Sequence, residues 1–373
     1  MRIVLVGSGT GGHFYPLIAV AESLRMFENT SNRPTELYFI GPDPYDPSAL
    51  TKNNITFVYC PAGKQRLYRS FKNVTDVLKT SFGFFVAFWR LLLLYPDAVF
   101  SKGGYTSVPV VLAAWLLRIP IVVHESDAVV GRANAIAAKF AQTVTVAHTD
   151  AVTEFTKKEA IVVGMPIRKS FFTPTVDPFA TLGIPSDRPV LFVTGGSTGA
   201  QRINDLLLNS LDELLPYYTI VHQTGKANVA NVSESASALI ADETLRGRYF
   251  AHGYLTPEQM AAAQDAAALI ISRAGSGTIF EIALKGKPSI LIPIPEDVSR
   301  DQRSNAYAYA RSGAASVLEE HNMTDDMLVS EIRYILDGVD TYHNMQTAAR
   351  NFTDGKAADR LAGILTEIAI FHE

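Results

Sequence analysis

Two stretches of the sequence repeat one pattern: a short apolar, β-branched run, a glycine-rich loop, then a segment of helical periodicity. The first is Ile3–Val6, followed by Gly7-Ser8-Gly9-Thr10-Gly11-Gly12-His13 and a helix expected over Pro16–Met26. The second is Val190–Thr194, followed by Gly195-Gly196-Ser197-Thr198-Gly199-Ala200 and a helix expected over Gln201–Leu215. Continuous apolar runs suit parallel strands buried on both faces, and the strand–loop–helix order is that of α/β domains. Further strands are expected at Leu37–Ile40, Ile55–Tyr59, Ala98–Ser101, Ile121–His124 and Val144–Val146. In the second half they fall at Tyr218–Gln223, Arg248–Ala251, Ala268–Ser272, Ser289–Ile292 and Ala315–Leu318. Pro174, Pro178, Pro185 and Pro189 crowd the join, so the fold class is α/β with two nucleotide-fold domains and a boundary within residues 164–188.

A chain of 373 residues is comfortable for two such cores. Its formal charge of -4 gives no global positive field, which argues against a nucleic-acid partner. A single cysteine, Cys60, excludes an internal disulfide framework and a Cys-rich metal site. The opening apolar stretch breaks at Gly7, too soon for the core of a signal peptide.

Three constellations can carry chemistry. Gly7, Gly9 and Gly12 satisfy G-x-G-x-x-G, so dinucleotide binding stands beside a plain tight turn that needs glycine. Dinucleotide binding wants an acid at the end of the second strand; that strand ends at Ile40, and the next acid is Asp43, behind Gly41-Pro42. The context disfavours an NAD-type oxidoreductase. His13 adds a titratable group at a helix start. The second loop offers successive N–H groups and the Ser197 hydroxyl to a diphosphate, and lacks the lysine of a P-loop hydrolase. In Ser272-Arg273-Ala274-Gly275-Ser276-Gly277-Thr278-Ile279-Phe280-Glu281 a helix is expected near Thr278. Glu281 then either closes a capping box with Thr278 or accepts both hydroxyls of a ribose. Asp301-Gln302-Arg303-Ser304-Asn305 offers amides to sugar hydroxyls, or is a polar helix start capped by Asp301.

Taken in order, Gly9–His13, Gly103-Gly104-Tyr105-Thr106-Ser107, His124-Glu125, Gly164–Arg168, Gly195–Ala200, Gln223–Lys226, Ser272–Gly275, Glu281 and Asp301–Asn305 carry a resemblance. Nearly end to end, the chain resembles the MurG-type enzymes of glycosyltransferase family 28. The resemblance implies a GT-B architecture of two Rossmann-like domains facing across a cleft. It implies transfer of N-acetylglucosamine from UDP-N-acetylglucosamine to undecaprenyl-diphosphate-muramoyl-pentapeptide (lipid I), forming lipid II at the cytoplasmic face of the membrane. Residues 1–165 would face acceptor and membrane and 166–346 would bind the UDP-sugar, with a helix over about 347–373 packing back on the first domain. By position, Glu281 would take the ribose, Gly196 and Ser197 the diphosphate, and Arg273 the nucleotide side. Gln302 and Asn305 would take the sugar hydroxyls, and Leu255, beside Tyr254, the uracil edge. Thr10, Gly11, Gly12, His13, Tyr105, Glu125, Asn134 and Arg168 would face the acceptor and the reacting centre. Two segments depart from the pattern. His124-Glu125-Ser126-Asp127 stands where such chains often read His-Glu-Gln-Asn, so an acid replaces an amide. The Gly41–Asp46 loop is unusually rich in proline.

Conversion of an α-linked UDP-sugar to a β-linkage is a single in-line, inverting displacement. It needs a base, commonly worth about 10²–10⁴-fold, with His13 the first candidate and Asp127 the second. His13 also reads as a neutral donor to a phosphate or sugar. No metal-binding cluster or cofactor is expected, and stabilisation of the leaving diphosphate falls to the amides of Gly195–Ala200. The apolar stretch Phe82–Tyr95 contains Arg90 and falls short of the roughly 18 residues that span a bilayer. It reads as a buried helix or as a patch resting on an anionic inner leaflet, with Lys64, Arg66, Arg69, Lys72 and Lys79 ahead of it. A related transferase with another lipid acceptor, and a UDP-sugar module without turnover, are the remaining alternatives.

Overall fold

The N-terminal apolar run forms β1 (Arg2–Val6), and Thr10 starts α1 (Gly11–Ser31), its carbonyl accepting the His13 and Phe14 N–H groups at 3.1 Å. The helix begins more than a turn before the expected Pro16. Proline suits a first turn, but here it sits inside the helix, where it forgoes one i→i−4 bond. The computed structural model describes residues 1–7, 10–31, 34–63, 72–156, 158–196, 199–296 and 298–372, without the side chains of 29–31, 72–74 and 300. Ser197 therefore lies outside the described residues, as do Lys64, Arg66, Arg69 and the Lys72 side chain.

The chain divides into two units, Met1–Lys169 with Gly355–Glu373, and Ser170–Asp354. In the first, β2 (Glu36–Gly41), α2 (Pro47–Lys52), β3 (Ile55–Tyr59), α3 (Lys72–Leu94) and β4 (Ala98–Ser101) follow α1. Then come α4 (Ser107–Leu116), β5 (Ile121–Glu125), α5 (Arg132–Ala137), β6 (Thr143–Val146) and β7 (Ala160–Val162). The seven strands are parallel in the order β3-β2-β1-β4-β5-β6-β7. The order reverses between β1 and β4, and a doubly wound sheet binds ligands outside the carboxyl ends of its strands at such a switch point. β7 was not expected from the sequence; two of its three residues are exposed, so it lacks the apolar run that marks a central strand.

The second unit holds α6 (Pro178–Leu182), β8 (Val190–Thr194), α7 (Gln201–Asn209), α8 (Leu211–Leu214), β9 (Thr219–Gln223), α9 (Val229–Leu239), α10 (Glu243–Arg246) and β10 (Tyr249–His252). It continues with α11 (Pro257–Ala266), β11 (Ala267–Ser272), α12 (Ser276–Leu284), β12 (Ser289–Leu291), α13 (Arg300–Ala310), β13 (Ala315–Val317), α14 (Asp325–Asp337) and α15 (Val339–Phe352). Its six parallel strands run β10-β9-β8-β11-β12-β13, with a switch point between β8 and β11. The helix expected over Gln201–Leu215 is broken at Ser210, whose Oγ donates to the Leu206 carbonyl at 2.9 Å, a local bond that competes with helix continuation.

The C-terminal segment is two helices where one was expected from about residue 347. α15 belongs to the second unit, and α16 (Ala357–His372) to the first. Leu361, Ala362, Leu365 and Ile368 enter one core cluster with Phe14, Leu17, Ile18 and Ala21 of α1, and Arg360 donates to the Val163 carbonyl at 3.2 Å.

α3 is longer than Phe82–Tyr95. Its apolar window, Thr75–Leu94, has the length and composition of a membrane span, yet only 17% of it is buried. Ala87 and Leu91 pack into the core beside α4 residues such as Val110 and Ala114. The opposite side leaves Phe82, Phe85, Trp89 and Leu93 exposed, Trp89 by 60%.

Candidate active site

In the second unit the glycine loop leaves β8 at the switch point. Gly196 has φ 85° and donates its N–H to the Thr194 hydroxyl at 3.0 Å; Gly199 has φ 78°, with its N–H on the Gly196 carbonyl at 3.1 Å. A Cβ on Gly199 would run into the Thr224 carbonyl oxygen, and one on Gly195 into the Ala200 nitrogen, whereas one on Gly196 meets nothing within 4 Å. Two glycines thus keep the turn tight and the third borders open space. α7 follows with Ala200 at its N-cap and no side-chain cap bond, leaving its first N–H groups unserved by a cap. Gln223, at the end of β9, fastens the loop: its Nε2 donates to the Gly196 carbonyl at 3.0 Å and its Oε1 accepts the Leu255 N–H at 3.0 Å. The Leu255 side chain is buried in the core, so only its backbone could reach a ligand edge, beside the half-exposed Tyr254.

α12 begins at Ser276, close to the expected Thr278, but its N-cap is Gly275, which makes no side-chain cap bond. This disposes of the Thr278–Glu281 capping box: Glu281 lies in the second turn, partly exposed. α13 likewise has Ser299, not Asp301, at its N-cap. Gln302 joins the two loops of this end, its Oε1 accepting N–H groups of Ala274 and Ile294 at 3.2 Å each, while its amide NH₂ has no partner among the described residues. Asn305 is fully buried and donates to the Ala274 carbonyl at 3.4 Å, so it supports the loop from beneath. Arg273 donates to the carbonyls of Ile292 and Pro293 at 3.2 and 3.3 Å and pairs with Glu320, a strut between β11 and β12. Beside them lies a cavity of about 400 Å³ lined by residues 293–296, Arg303 and 319–321, within the size range of small-molecule sites.

In the first unit the corresponding end of the sheet carries the other group. The Thr10 hydroxyl lies 2.9 Å from His13 Nδ1. Part of the His13 ring still reaches solvent, but the surrounding protein desolvates it and Lys102 stands near, so its pKa falls to about 4. The imidazole is therefore neutral at pH 7; in the tautomer whose Nδ1–H donates to the Thr10 hydroxyl, Nε2 carries the free lone pair. Gly11 and Gly12 form the first helical turn, and Gly12 is exposed.

Glu125 is buried, and both its oxygens are engaged. Oε1 accepts from the N–H groups of Ser126 and Asp127 at 2.7 and 3.0 Å, and Oε2 from Gly131 N–H and Asn134 Nδ2 at 2.9 Å each. The residue expected to face the acceptor instead shapes the loop that presents Asp127, which is partly exposed. Asn134 is buried too; its Nδ2 also donates to the His124 carbonyl at 3.2 Å, and its Oδ1 has no hydrogen-bond partner among the described residues. Gly103, at φ 88°, passes so close that a Cβ would sit 2.6 Å from that Oδ1. Tyr105 is partly exposed, and burial together with Asp43 and Asp76 raises its pKa. Arg168 stacks its guanidinium over the Tyr15 ring at 4.1 Å.

Sequence reasoning passed over Lys102 and gave Gln223 no role of its own. Gln223 carried a signal, an amide closing an apolar strand next to Thr224-Gly225. Lys102 carried only its position between a strand and two glycines.

Residues 3–146 match the Glycosyltransferase family 28 N-terminal domain and residues 190–361 the Glycosyltransferase family 28 C-terminal domain. A Treponema denticola protein named UDP-N-acetylglucosamine–N-acetylmuramyl-(pentapeptide) pyrophosphoryl-undecaprenol N-acetylglucosamine transferase is 33% identical over 382 residues, covering 97% of this chain and 96% of its own. A Bacillus thuringiensis protein of the same name, numbered 3, is 34% identical, with 98% and 99% covered. The crystal structure of Acinetobacter baumannii MurG is similar with a TM-score of 0.75 and 26% identity, over 98% of this chain and 99% of that one. The chain belongs to glycosyltransferase family 28.

Proposed function

We propose that this chain transfers N-acetylglucosamine from UDP-N-acetylglucosamine to lipid I, with inversion, to give lipid II. The observation that carries the reading is the pairing of full-length similarity to transferases of that name with a glycine at the switch point of each unit, Gly7 in the first and Gly196, which borders open space, in the second. On this reading the diphosphate lies against Gly196 and the start of α7, where N–H groups and the helix dipole stabilise the leaving UDP without reorganising. Glu281 takes the ribose, and the Gln302 NH₂ donates to the sugar, its Oε1 being fixed on Ala274 and Ile294. His13 Nε2 accepts the proton of the acceptor hydroxyl, and the neutral state of the ring supports that role. Once a diphosphate-bearing lipid neutralises nearby positive charge, the pKa of His13 rises towards the value at which a base works best.

The acceptor is membrane-anchored, and the exposed apolar side of α3 supports peripheral contact with an anionic leaflet. The purified chain, given a water-soluble lipid I analogue and UDP-N-acetylglucosamine, should form β-linked disaccharide and UDP in equal amounts. UDP binding without product would refute the transferase reading in favour of a binding module.

A further inference from the structure

The loop that joins β2 to α2, Gly41-Pro42-Asp43-Pro44-Tyr45-Asp46, is one of the two segments that depart from similar chains. Within it Tyr45 holds φ 47°, in the left-handed region, where a bulky side chain is a rare and strained occupant. The surroundings over-determine that conformation. Asp43 Oδ1 accepts the Tyr45 N–H at 3.0 Å, and Asp46 caps α2 by accepting the Ala49 N–H at 3.1 Å. The Tyr45 ring packs on Phe14, with centroids 5.1 Å apart, and meets Tyr15 edge to face at 6.0 Å. Backbone strain held in this way clusters where a side chain is presented to a ligand.

The tyrosine is presented at the start of α1. A Cβ on Gly11 would lie 3.0 Å from the Tyr45 hydroxyl and 3.3 Å from the Tyr15 ring, so both tyrosines border the first glycine loop. Arg168 stacks over the same Tyr15 at 4.1 Å, which extends the row to a second residue expected to face the acceptor. Although it packs on two rings, Tyr45 stays 40% exposed. A sugar offers apolar C–H groups on its ring face and hydroxyls around its rim, and so suits an aromatic surface edged by carboxylates. Asp43 and Asp46 flank Tyr45, and two negative charges disfavour the acceptor's diphosphate beside this ring.

We propose that Tyr45 is a binding residue for the acceptor, its exposed ring being the surface on which the acceptor's sugar packs. This role rests on the acceptor-side function proposed above and adds to it a contact residue from outside the glycine loop. Because the loop departs from similar chains, the contact is a feature of this chain's own acceptor site.

The test compares Tyr45→Asn, which removes the ring and tolerates the left-handed backbone, with Tyr45→Phe, which keeps the ring and removes only the hydroxyl. With a water-soluble lipid I analogue, Tyr45→Asn should raise the acceptor KM about three- to tenfold, the fold-change that loss of an aromatic contact gives. Tyr45→Phe should stay within about twofold of wild type, and the KM for UDP-N-acetylglucosamine should not move in either. The same rise should appear with an analogue that lacks the peptide. An unchanged acceptor KM in Tyr45→Asn overturns the proposal, as does an equal loss in Tyr45→Phe, which would assign the contact to the hydroxyl. A rise that vanishes with the peptide-free analogue overturns it too, since the ring would then serve the peptide. Should Tyr45→Asn not fold, Tyr45→Leu takes its place with the same expected rise. Calorimetric titration of the analogue without donor separates the two levels. A wild type that binds it without transferring strikes the function proposed above, whereas a Tyr45→Asn protein that binds it as tightly as wild type strikes only the role of Tyr45.

Discussion

Gly196 and Gly199 both hold positive φ, but a methyl group added to each meets different surroundings. At Gly196 nothing lies within 4 Å, so Gly196→Ala costs only the left-handed backbone penalty, about 1–2 kcal/mol. For a unit of this size that is a fall in Tm of roughly 2–8 °C. The methyl would, however, occupy the space proposed for the diphosphate. Wild type at 100 times its Kd for UDP should gain about 2.7 kcal/mol, a rise of roughly 5–11 °C. In Gly196→Ala most of that rise should vanish while the ligand-free protein stays folded. Gly199→Ala adds a collision with the Thr224 carbonyl to the same backbone penalty, and should cost about 2–5 kcal/mol even without ligand. Differential scanning fluorimetry with and without UDP separates the two. A Gly196→Ala protein that retains the full UDP-induced rise would refute the reasoning, since the open space would then not be the ligand's.

His13→Ala should lower kcat by about 10²–10⁴-fold with UDP affinity intact; unaltered turnover would remove His13 as the base. Phe85→Asp with Trp89→Asp should weaken flotation with anionic liposomes at least tenfold, because burying each exposed aromatic contributes about 1.5–3 kcal/mol, and activity on a soluble acceptor should persist. His222, fully buried between Asn204 Oδ1 at 3.0 Å and the Tyr249 hydroxyl at 2.7 Å, has its pKa lowered to about 3 by burial. The unfolded chain therefore takes up this proton first, near pH 6.5, so stability is full above that pH. It should fall by up to about 1.4 kcal/mol per pH unit down to about 3. His222→Gln should flatten that slope in urea titrations at pH 7, 6 and 5.

The strands Ala98–Ser101 and Val190–Thr194 were readable to the residue, because a strand buried on both faces reads as a continuous apolar run; Ile55–Tyr59, an edge strand with only Ile55 buried, was readable from its β-branched and aromatic residues instead. Boundaries set by side-chain bonds were harder. Ser210 breaks a helix that periodicity runs straight through, and Gly275 caps α12 with no side-chain signal, so Thr278-Glu281 imitates a capping box. The returning C-terminal helix was expected, but its start was displaced because α15 and α16 are both helical and only packing divides them. Around the site, sequence identified Gly196, Glu281, Gln302 and His13 as candidates without saying which side chains would be engaged. That Glu125 is held by four N–H donors depends on how residues 126–134 turn back, which no local pattern encodes. Lys102 escaped notice for a related reason: a lysine next to glycines reads as solvated, and only the folded sheet buries it.

The donor comparison tests the central claim most directly. With one lipid I analogue as acceptor, kcat/KM is measured for UDP-N-acetylglucosamine, UDP-N-acetylgalactosamine, UDP-glucose and UDP-galactose. The account predicts that UDP-N-acetylglucosamine leads every other donor by at least tenfold and that the product linkage is β. Equal use of the four donors, an α-linked product, or transfer only to a different lipid would contradict it.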